Sequence, residues 1–231
     1  MKRPIILALD TKDLDTAKAW IDSTRDSIDI YKVGLEFFLK HGAVGLRELR
    51  AGRDFDLFLD LKLHDIPNTV SGAVESVSQI QPRFLTVHAS GGSKMITAAS
   101  EVNKDISITA VTILTSLSDE EVIEIGYRQD AHASALALAE MAARSGATSI
   151  VCSPFEVAAI RAKVGASLSL ITPGVRPIGA DMGDQSRVMT PPQAIAAGAD
   201  YLVIGRPITG AWSQGSQAMK SAAQAILESV N

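Results

Sequence analysis

The sequence predicts a TIM (β/α)8 barrel, in which eight parallel strands form a closed barrel inside a ring of helices. Eight short apolar segments alternate along the chain with longer segments of helical periodicity. The length of 231 residues lies near the lower limit for eight such units. No Pro/Gly/Ser-rich linker or shift of composition divides the chain. We therefore expect residues 1–231 to form a single barrel domain.

The strand candidates recur along the chain as short, largely apolar runs. In chain order they are Ile5–Asp10, Ile28–Gly34, Asp56–Leu63, Phe84–Ala89, Ile106–Leu114, Ser149–Ser153, Leu168–Pro173 and Tyr201–Gly205. The intervening segments have Ala-rich helical faces, as in Ala133–Ala143 and Ala218–Leu227. A doubly wound sheet is the structural alternative, but none of the 17 glycines are spaced as Gly-x-Gly, so the dinucleotide-binding pattern is missing.

Composition narrows the classes of protein that the chain can belong to. Apolar residues make up 46% and charged residues 21%, which is typical of a globular protein. The net charge of −4 includes no basic run, which argues against nucleic acid as a partner. The longest apolar runs are far shorter than a membrane span. The lone Cys152 is expected to be a packed core thiol, and a cytoplasmic location is expected.

The stretch Asp60–Thr69 is the most informative part of the sequence. Side chains alternate along a strand, so Asp60 and Lys62 share one face, while the intervening leucines occupy the other. Asp65 breaks this alternation, which places it on a loop after the strand, with Pro67 opening a helix. An ordinary salt-bridged strand end would also fit these residues taken alone.

Further charged residues stand at the carboxyl ends of other predicted strands, where TIM barrels carry their active sites. Asp10 ends the first strand, and Lys32 lies near the end of the second. Together with Asp60, Lys62 and Asp65 they form an alternating array of ammonium and carboxylate groups. Such an array leaves each charge partnered and keeps an ammonium available as a proton donor.

The last two strand ends suggest a phosphate site. The loop after the seventh strand contains Arg176 and Gln185, and Gly205-Arg206 follows the eighth. In TIM barrels these two loops commonly bind phosphate. Arg206 would supply a bidentate cation and Gln185 a neutral donor. The segment 176–187 is either a lid over the site or an ordinary surface loop.

Other chemistries find little support in the sequence. The four histidines show no metal-ligand spacing with carboxylates or with the single cysteine, so no metal site is expected. The Gly-x-Ser-x-Gly elbow of hydrolases and the Gly-x-x-x-x-Gly-Lys loop of nucleotide-binding proteins are both missing.

The chain resembles the orotidine 5′-phosphate decarboxylase family, in its bacterial branch, over nearly its whole length. Asp-x-Lys-x-x-Asp alone is shared with a wider group of phosphosugar barrels, whereas the continuation His64–Thr69 and Asp184-Gln185 are specific to the decarboxylases. The motifs that carry the resemblance are Leu9-Asp10, Tyr31–Gly34, Asp60–Thr69, Thr172–Arg187 and Ile204–Arg206.

The resemblance implies a cofactor-independent decarboxylation of orotidine 5′-phosphate to uridine 5′-monophosphate, within pyrimidine nucleotide biosynthesis. It assigns the proton donor to Lys62 and places Asp60 against the substrate carboxylate, with Lys32 and Asp65 completing the array. It also implies a homodimer in which Asp65 crosses the interface. The implied substrate-binding residues are Asp10 and Lys32 for the ribose, Thr115 for the pyrimidine, Gln185, Gly205 and Arg206 for the phosphate, Arg176 at the base of the closing loop, and Ile66 and Thr69 from the partner.

Two alternatives stay open at this point. A phosphosugar decarboxylase would use the same Asp60/Lys62 pair together with a magnesium ion, although the His64–Thr69 continuation and Thr115-Ser116 argue against it. A non-catalytic binder of phosphoribosyl ligands could also retain the barrel. The complete set of charged residues argues against a binder, because binding alone needs no buried proton donor.

Overall fold

The computed structural model describes residues 3–177 and 189–231. Within these ranges eight parallel strands pair in chain order, and the first strand pairs with the eighth, so that the barrel is closed. The predicted TIM barrel is thus confirmed. The strands are β1 Ile5–Ala8, β2 Ile30–Gly34, β3 Asp56–Leu63, β4 Phe84–His88, β5 Ser107–Val111, β6 Ser149–Val151, β7 Ser169–Thr172 and β8 Tyr201–Ile204.

Helices connect the strands, and the two predicted helical segments lie within the sixth and tenth of them. The helices are α1 Leu14–Thr24, α2 Leu35–Arg50, α3 Pro67–Ser78, α4 Ser93–Val102, α5 Asp119–Glu124, α6 Ala131–Arg144, α7 Val157–Val164, α8 Pro191–Ala196, α9 Arg206–Thr209 and α10 Ser216–Ser229. Local signals set several of the starts. Pro67 opens α3 as predicted, and the Asp13 side chain caps α1 by accepting from the Thr16 N–H.

Several strands are shorter than their apolar runs predicted. The fifth run was expected to reach Leu114, but β5 ends at Val111, and Ile113 instead packs in a separate buried cluster with Val122 and Ala135. Ile28 likewise lies before β2, where its N–H donates to the Thr24 carbonyl. An apolar run indicates which residues are buried, and buried residues continue past the last residue that pairs with a neighbouring strand. The apolar runs therefore predicted strands that are too long.

The barrel interior is packed by side chains that alternate along the strands. Ile6, Ile30, Phe58, Phe84 and Ile171 form its buried layer. Phe58 and Phe84 meet edge to face, with ring centroids 5.7 Å apart. A much larger cluster fills the space between the strands and the surrounding helices. The interior layer fills the barrel below the strand ends, so Asp60, which follows Phe58 on the same face of β3, lies above an apolar floor.

No helix in the described ranges is both long enough and apolar enough to cross a membrane.

Candidate active site

A chain of alternating charges lies at the carboxyl ends of the first three strands. The ammonium of Lys62 contacts both oxygens of Asp60 at 2.9 Å. Lys32 Nζ lies 3.3 Å from the other side of that carboxylate and 3.4 Å from Asp10. The predicted array of Asp10, Lys32, Asp60 and Lys62 is therefore brought together within one chain, in the order in which the charges alternate.

An irregularity in β3 positions the two central residues of the array. Leu59 pairs with Leu85, whereas Leu63 pairs with Val87, so four residue steps on β3 span two on β4. Lys62 lies among the extra residues of β3 and has a φ of 48°, which is unusual for a residue with a side chain. A regular strand was expected to place Asp60 and Lys62 on one face. They do meet, but through this bulge rather than through regular alternation.

Mutual pairing favours the ionised forms of Asp60 and Lys32. Burial raises the pKa of the Asp60 carboxyl group, but Lys32 and Lys62 outweigh it, with hydrogen bonds from Lys62 and Thr86, and the pKa stays below its usual value. Burial likewise lowers the pKa of Lys32, and Asp60 and Asp10 outweigh that effect and raise it. Only 8% of Asp60 and 12% of the Lys32 side chain are exposed, so these charges interact through little water.

A cavity of about 290 Å³ opens directly above the array. One part of its wall is charged and is formed by the four residues of the array. Another part is apolar and includes Phe58, Val111 and Ile113. The remaining wall comes from the ends of β5, β7 and β8, with Thr115, Pro173, Gly174, Arg176, Gly205 and Arg206.

Two of the predicted phosphate-binding residues, Gly205 and Arg206, lie on this last wall. Arg206 begins α9, three strands away from Lys62 around the barrel, and its side chain is exposed to the cavity. Gly205 leaves a space that a Cβ would enter, 3.6 Å from an Asp10 carboxylate oxygen. Arg176 is buried and donates to the Val175 carbonyl at 2.9 Å. Gln185 lies outside the described residues.

Three predicted site residues do not join the cavity of their own chain. Asp65, Ile66 and Thr69 are exposed at the start of α3, and none of them lines the cavity. The Asp65 carboxylate accepts from the Ile66 N–H at 2.7 Å. The prediction that Asp65 follows the strand on a loop is confirmed, because β3 ends at Leu63 and α3 begins at Pro67.

Sequence reasoning missed Thr86, which is fully buried on β4. Its hydroxyl donates to Asp60 Oδ1 at 3.0 Å and accepts from the Lys62 N–H at 2.8 Å. A signal was available, since Thr86 is a polar residue on the inward face of an apolar strand next to β3. What the sequence could not indicate is the bulge that turns the Lys62 N–H toward β4.

The geometry suits a reaction that develops negative charge on a small anionic substrate. An ammonium held against a carboxylate can donate a proton and stabilise an adjacent carbanion. The arginine on the opposite wall can bind an anionic group distant from that centre. Among the described residues there is no cluster of three or more His, Cys, Asp or Glu side chains that could bind a metal ion.

Comparison with known proteins places this arrangement in a family. Residues 3–221 match the family model described as orotidine 5′-phosphate decarboxylase / HUMPS family. The orotidine 5′-phosphate decarboxylase of Thermobifida fusca is 50% identical over 224 residues, covering 97% of this chain and 96% of the relative. That of Shewanella sediminis is 46% identical, covering 90% and 91%.

A solved structure agrees with the sequence relatives. The orotidine 5′-phosphate decarboxylase from Lactobacillus acidophilus superposes with a TM-score of 0.85 at 35% identity, and each chain is covered completely. The match includes the strands that carry the charged array and the segments that carry Arg176, Gly205 and Arg206. The resemblance inferred from the sequence motifs is therefore confirmed: this chain belongs to the orotidine 5′-phosphate decarboxylase / HUMPS family.

Proposed function

We propose that this enzyme decarboxylates orotidine 5′-phosphate to uridine 5′-monophosphate, with Lys62 protonating C6 of the pyrimidine. The observation that carries the proposal is the contact of Lys62 with Asp60 inside a cavity that also exposes Arg206. A proton donor and a phosphate-binding cation then face one ligand at its two ends. The relatives named orotidine 5′-phosphate decarboxylase support this choice of substrate.

The proposed binding mode follows the walls of the cavity. Arg206, Gly205 and Gln185 hold the phosphate, with Arg176 at the base of the segment that carries Gln185. Asp10 and Lys32 bind the ribose hydroxyls, which suits the position of this pair just after β1 and on β2. Thr115, at the β5 wall, contacts the pyrimidine. The reacting carbon then lies over Asp60 and Lys62.

The chemistry needs no electron sink from a cofactor. The bond between C6 and the carboxylate carbon breaks, its electron pair stays on C6, and a Lys62 N–H supplies the proton that replaces carbon dioxide. Lys62 then regains a proton from solvent. The developing carbanion is stabilised by the ammonium already present beside it, so no solvent has to reorganise.

Repulsion between Asp60 and the substrate carboxylate accounts for only part of the catalysis. Two like charges about 4 Å apart repel by about 4 kcal/mol at an effective dielectric constant near 20. Enzymes lower their barriers by about 8–23 kcal/mol, so most of the effect must come from elsewhere. Binding energy from the distant phosphate, used to orient the pyrimidine over Lys62, is the proposed source.

We further propose a homodimer in which Asp65, Ile66 and Thr69 enter the partner's site. Apolar side chains beside the mouth support it, since Ile66 is 66% exposed and Leu35 is 47% exposed. A second cavity of about 180 Å³ reaches Lys32, Asp60 and Lys62 beside Leu35 and leaves room for another carboxylate. The lone buried Cys152 supports the expected cytoplasmic location.

The direct test is to mix the purified protein with orotidine 5′-phosphate and follow the ultraviolet absorbance of the pyrimidine. We expect turnover that EDTA leaves unchanged. Turnover of a phosphosugar acid that EDTA abolishes and magnesium restores would instead favour the phosphosugar decarboxylase. Binding of uridine 5′-monophosphate without any turnover would favour the non-catalytic binder.

A further inference from the structure

Thr86 is a buried residue of the barrel that touches both central members of the charged array. It has no exposed surface, and it does not line the cavity above the array. Its side chain points into the barrel from β4, one strand beyond Asp60 and Lys62. Any influence on a bound substrate must therefore pass through those two residues.

The Thr86 hydroxyl uses both its donor and its acceptor capacity at this point. It donates to Asp60 Oδ1 at 3.0 Å and accepts from the backbone N–H of Lys62 at 2.8 Å. The same Asp60 oxygen receives the Lys62 ammonium at 2.9 Å. The Thr86 hydroxyl thus links the backbone N–H of Lys62 to the Asp60 carboxylate, and that carboxylate in turn binds the ammonium of the same lysine.

The contact falls where the regular pairing of β3 with β4 is interrupted. Between the pairs Leu59–Leu85 and Leu63–Val87, the strands are out of register. Lys62 lies in that interval with a φ of 48°, a conformation that persists in a residue with a side chain only when its surroundings fix it. The Thr86 hydroxyl takes the place of the strand carbonyl that would otherwise accept the Lys62 N–H.

We infer that Thr86 is a positioning residue of the reaction: its hydroxyl holds the backbone of Lys62 and the carboxylate of Asp60 in the relative placement that aims the ammonium into the cavity. The inference rests on the proposed function, because it specifies how the proposed proton donor is oriented. It requires the hydroxyl, since a residue of the same shape without one cannot bridge the two groups.

The chain offers a matched control on the neighbouring strand. Thr109 is paired with Thr86 across β4 and β5 and is also fully buried. Its hydroxyl bonds to Ser149 Oγ at 2.6 Å and to the Ser107 carbonyl. Thr109→Val removes a buried hydroxyl of the barrel interior without touching the charged array.

The experiment compares Thr86→Val, Thr86→Ser and Thr109→Val by kcat and KM for orotidine 5′-phosphate and by affinity for uridine 5′-monophosphate. We expect Thr86→Val to lower kcat by about 10- to 100-fold, as a misplaced catalytic group does. Its KM and its affinity for the product should stay within about threefold of the parent, because binding energy from the phosphate is retained. Thr86→Ser and Thr109→Val should keep kcat within about threefold, since neither loses the bridge.

In the kinetic comparison, the inference would be overturned by Thr86→Val with unchanged kcat, or by Thr86→Ser as impaired as Thr86→Val. If Thr86→Val does not fold, Thr86→Ala removes the same hydroxyl with a smaller side chain and carries the same expectations. A crystal structure of the variant tests the inference even if the parent does not turn over this substrate. We expect Lys62 to leave its left-handed conformation or its ammonium to move away from Asp60, and unchanged geometry would overturn the inference independently of the proposed function.

Discussion

At the residue scale, Asp60 is the group on which the charged array depends. Its two oxygens receive Lys62, and Lys32 lies 3.3 Å from one of them. Without this carboxylate, two ammonium groups would face each other in a poorly hydrated site. The charge of Asp60 therefore contributes to the stability of the fold as well as to the proposed chemistry.

The first prediction concerns how that contribution varies with pH. Because folding lowers the pKa of Asp60, its charge stabilises the fold above the unfolded-state pKa of about 3.9, and this stabilisation is lost as the pH falls through the folded-state value. We expect the free energy of unfolding to fall less in Asp60→Asn than in the parent between about pH 5 and pH 3. Urea denaturation at each pH measures it. Asp105→Asn, which alters an exposed carboxylate, should follow the parent; an equal acid dependence in Asp60→Asn would refute the prediction.

A second prediction at this scale concerns Arg206. If its cation binds the phosphate, Arg206→Ala should lower kcat/KM for orotidine 5′-phosphate. The expected decrease corresponds to a loss of about 1.5–3 kcal/mol in transition-state binding. Steady-state kinetics with the nucleotide and with the bare nucleoside measure the effect. The kcat/KM for the nucleoside should be much less affected, because the nucleoside has no phosphate for Arg206 to bind. Arg144→Ala, on the outer surface of α6, is the control, and equal losses with both substrates would remove Arg206 from the phosphate site.

At the element scale, the alternation of strands and helices could be predicted from the sequence, and the bulge in β3 could not. Alternation placed Asp60 and Lys62 on one face and Asp65 beyond the strand end, since it depends only on local spacing. The register shift depends on β4, where the Thr86 hydroxyl accepts the Lys62 N–H. The spacing of residues within one strand does not predict which side chains it contacts on the next strand, which is why Thr86 was missed.

Arg161 provides a prediction for the elements at the opposite end of the barrel. From the last turn of α7 it donates to the carbonyls of Gly165, Leu168 and Gly198 and pairs with Asp200, joining the segments that enter β7 and β8. Arg161→Ala removes all of these contacts at once. We expect a loss of about 2–3 kcal/mol in the free energy of unfolding, with kcat/KM preserved. Chemical denaturation with a parallel assay tests this; full stability or a selective loss of activity would contradict it.

At the scale of the whole molecule, the proposed dimer would bring three exposed residues of each chain to the site of the other. The cavity lacks Asp65, Ile66 and Thr69, which lie exposed at the start of α3. Leu35 is exposed at the start of α2 and lines the cavity of about 180 Å³ beside the array, and Leu39 on the same helix is also exposed. In a two-fold symmetric dimer, each chain would complete the site of the other.

Complementation between two inactive variants tests this arrangement. Lys62→Ala and Asp65→Ala homodimers should each be severely impaired. After mixing and re-association about half of the dimers are mixed, and each mixed dimer has one site without either substitution, so activity should recover to about a quarter of the parent's. Mixing each variant with itself is the control. If Asp65 serves its own chain, every site keeps one substitution and no activity returns.

Turnover of orotidine 5′-phosphate by Lys62→Ala tests whether Lys62 donates the proton to the substrate. Its matched control is Lys163→Ala, which removes an exposed lysine on α7. We expect Lys62→Ala to fold, to bind uridine 5′-monophosphate and to lose turnover by at least about 100-fold, the lower bound of a general acid's contribution. Lys163→Ala should match the parent. Turnover by Lys62→Ala within about tenfold of the parent would show that Lys62 is not the proton donor, because the loss of a general acid lowers the rate by more than that.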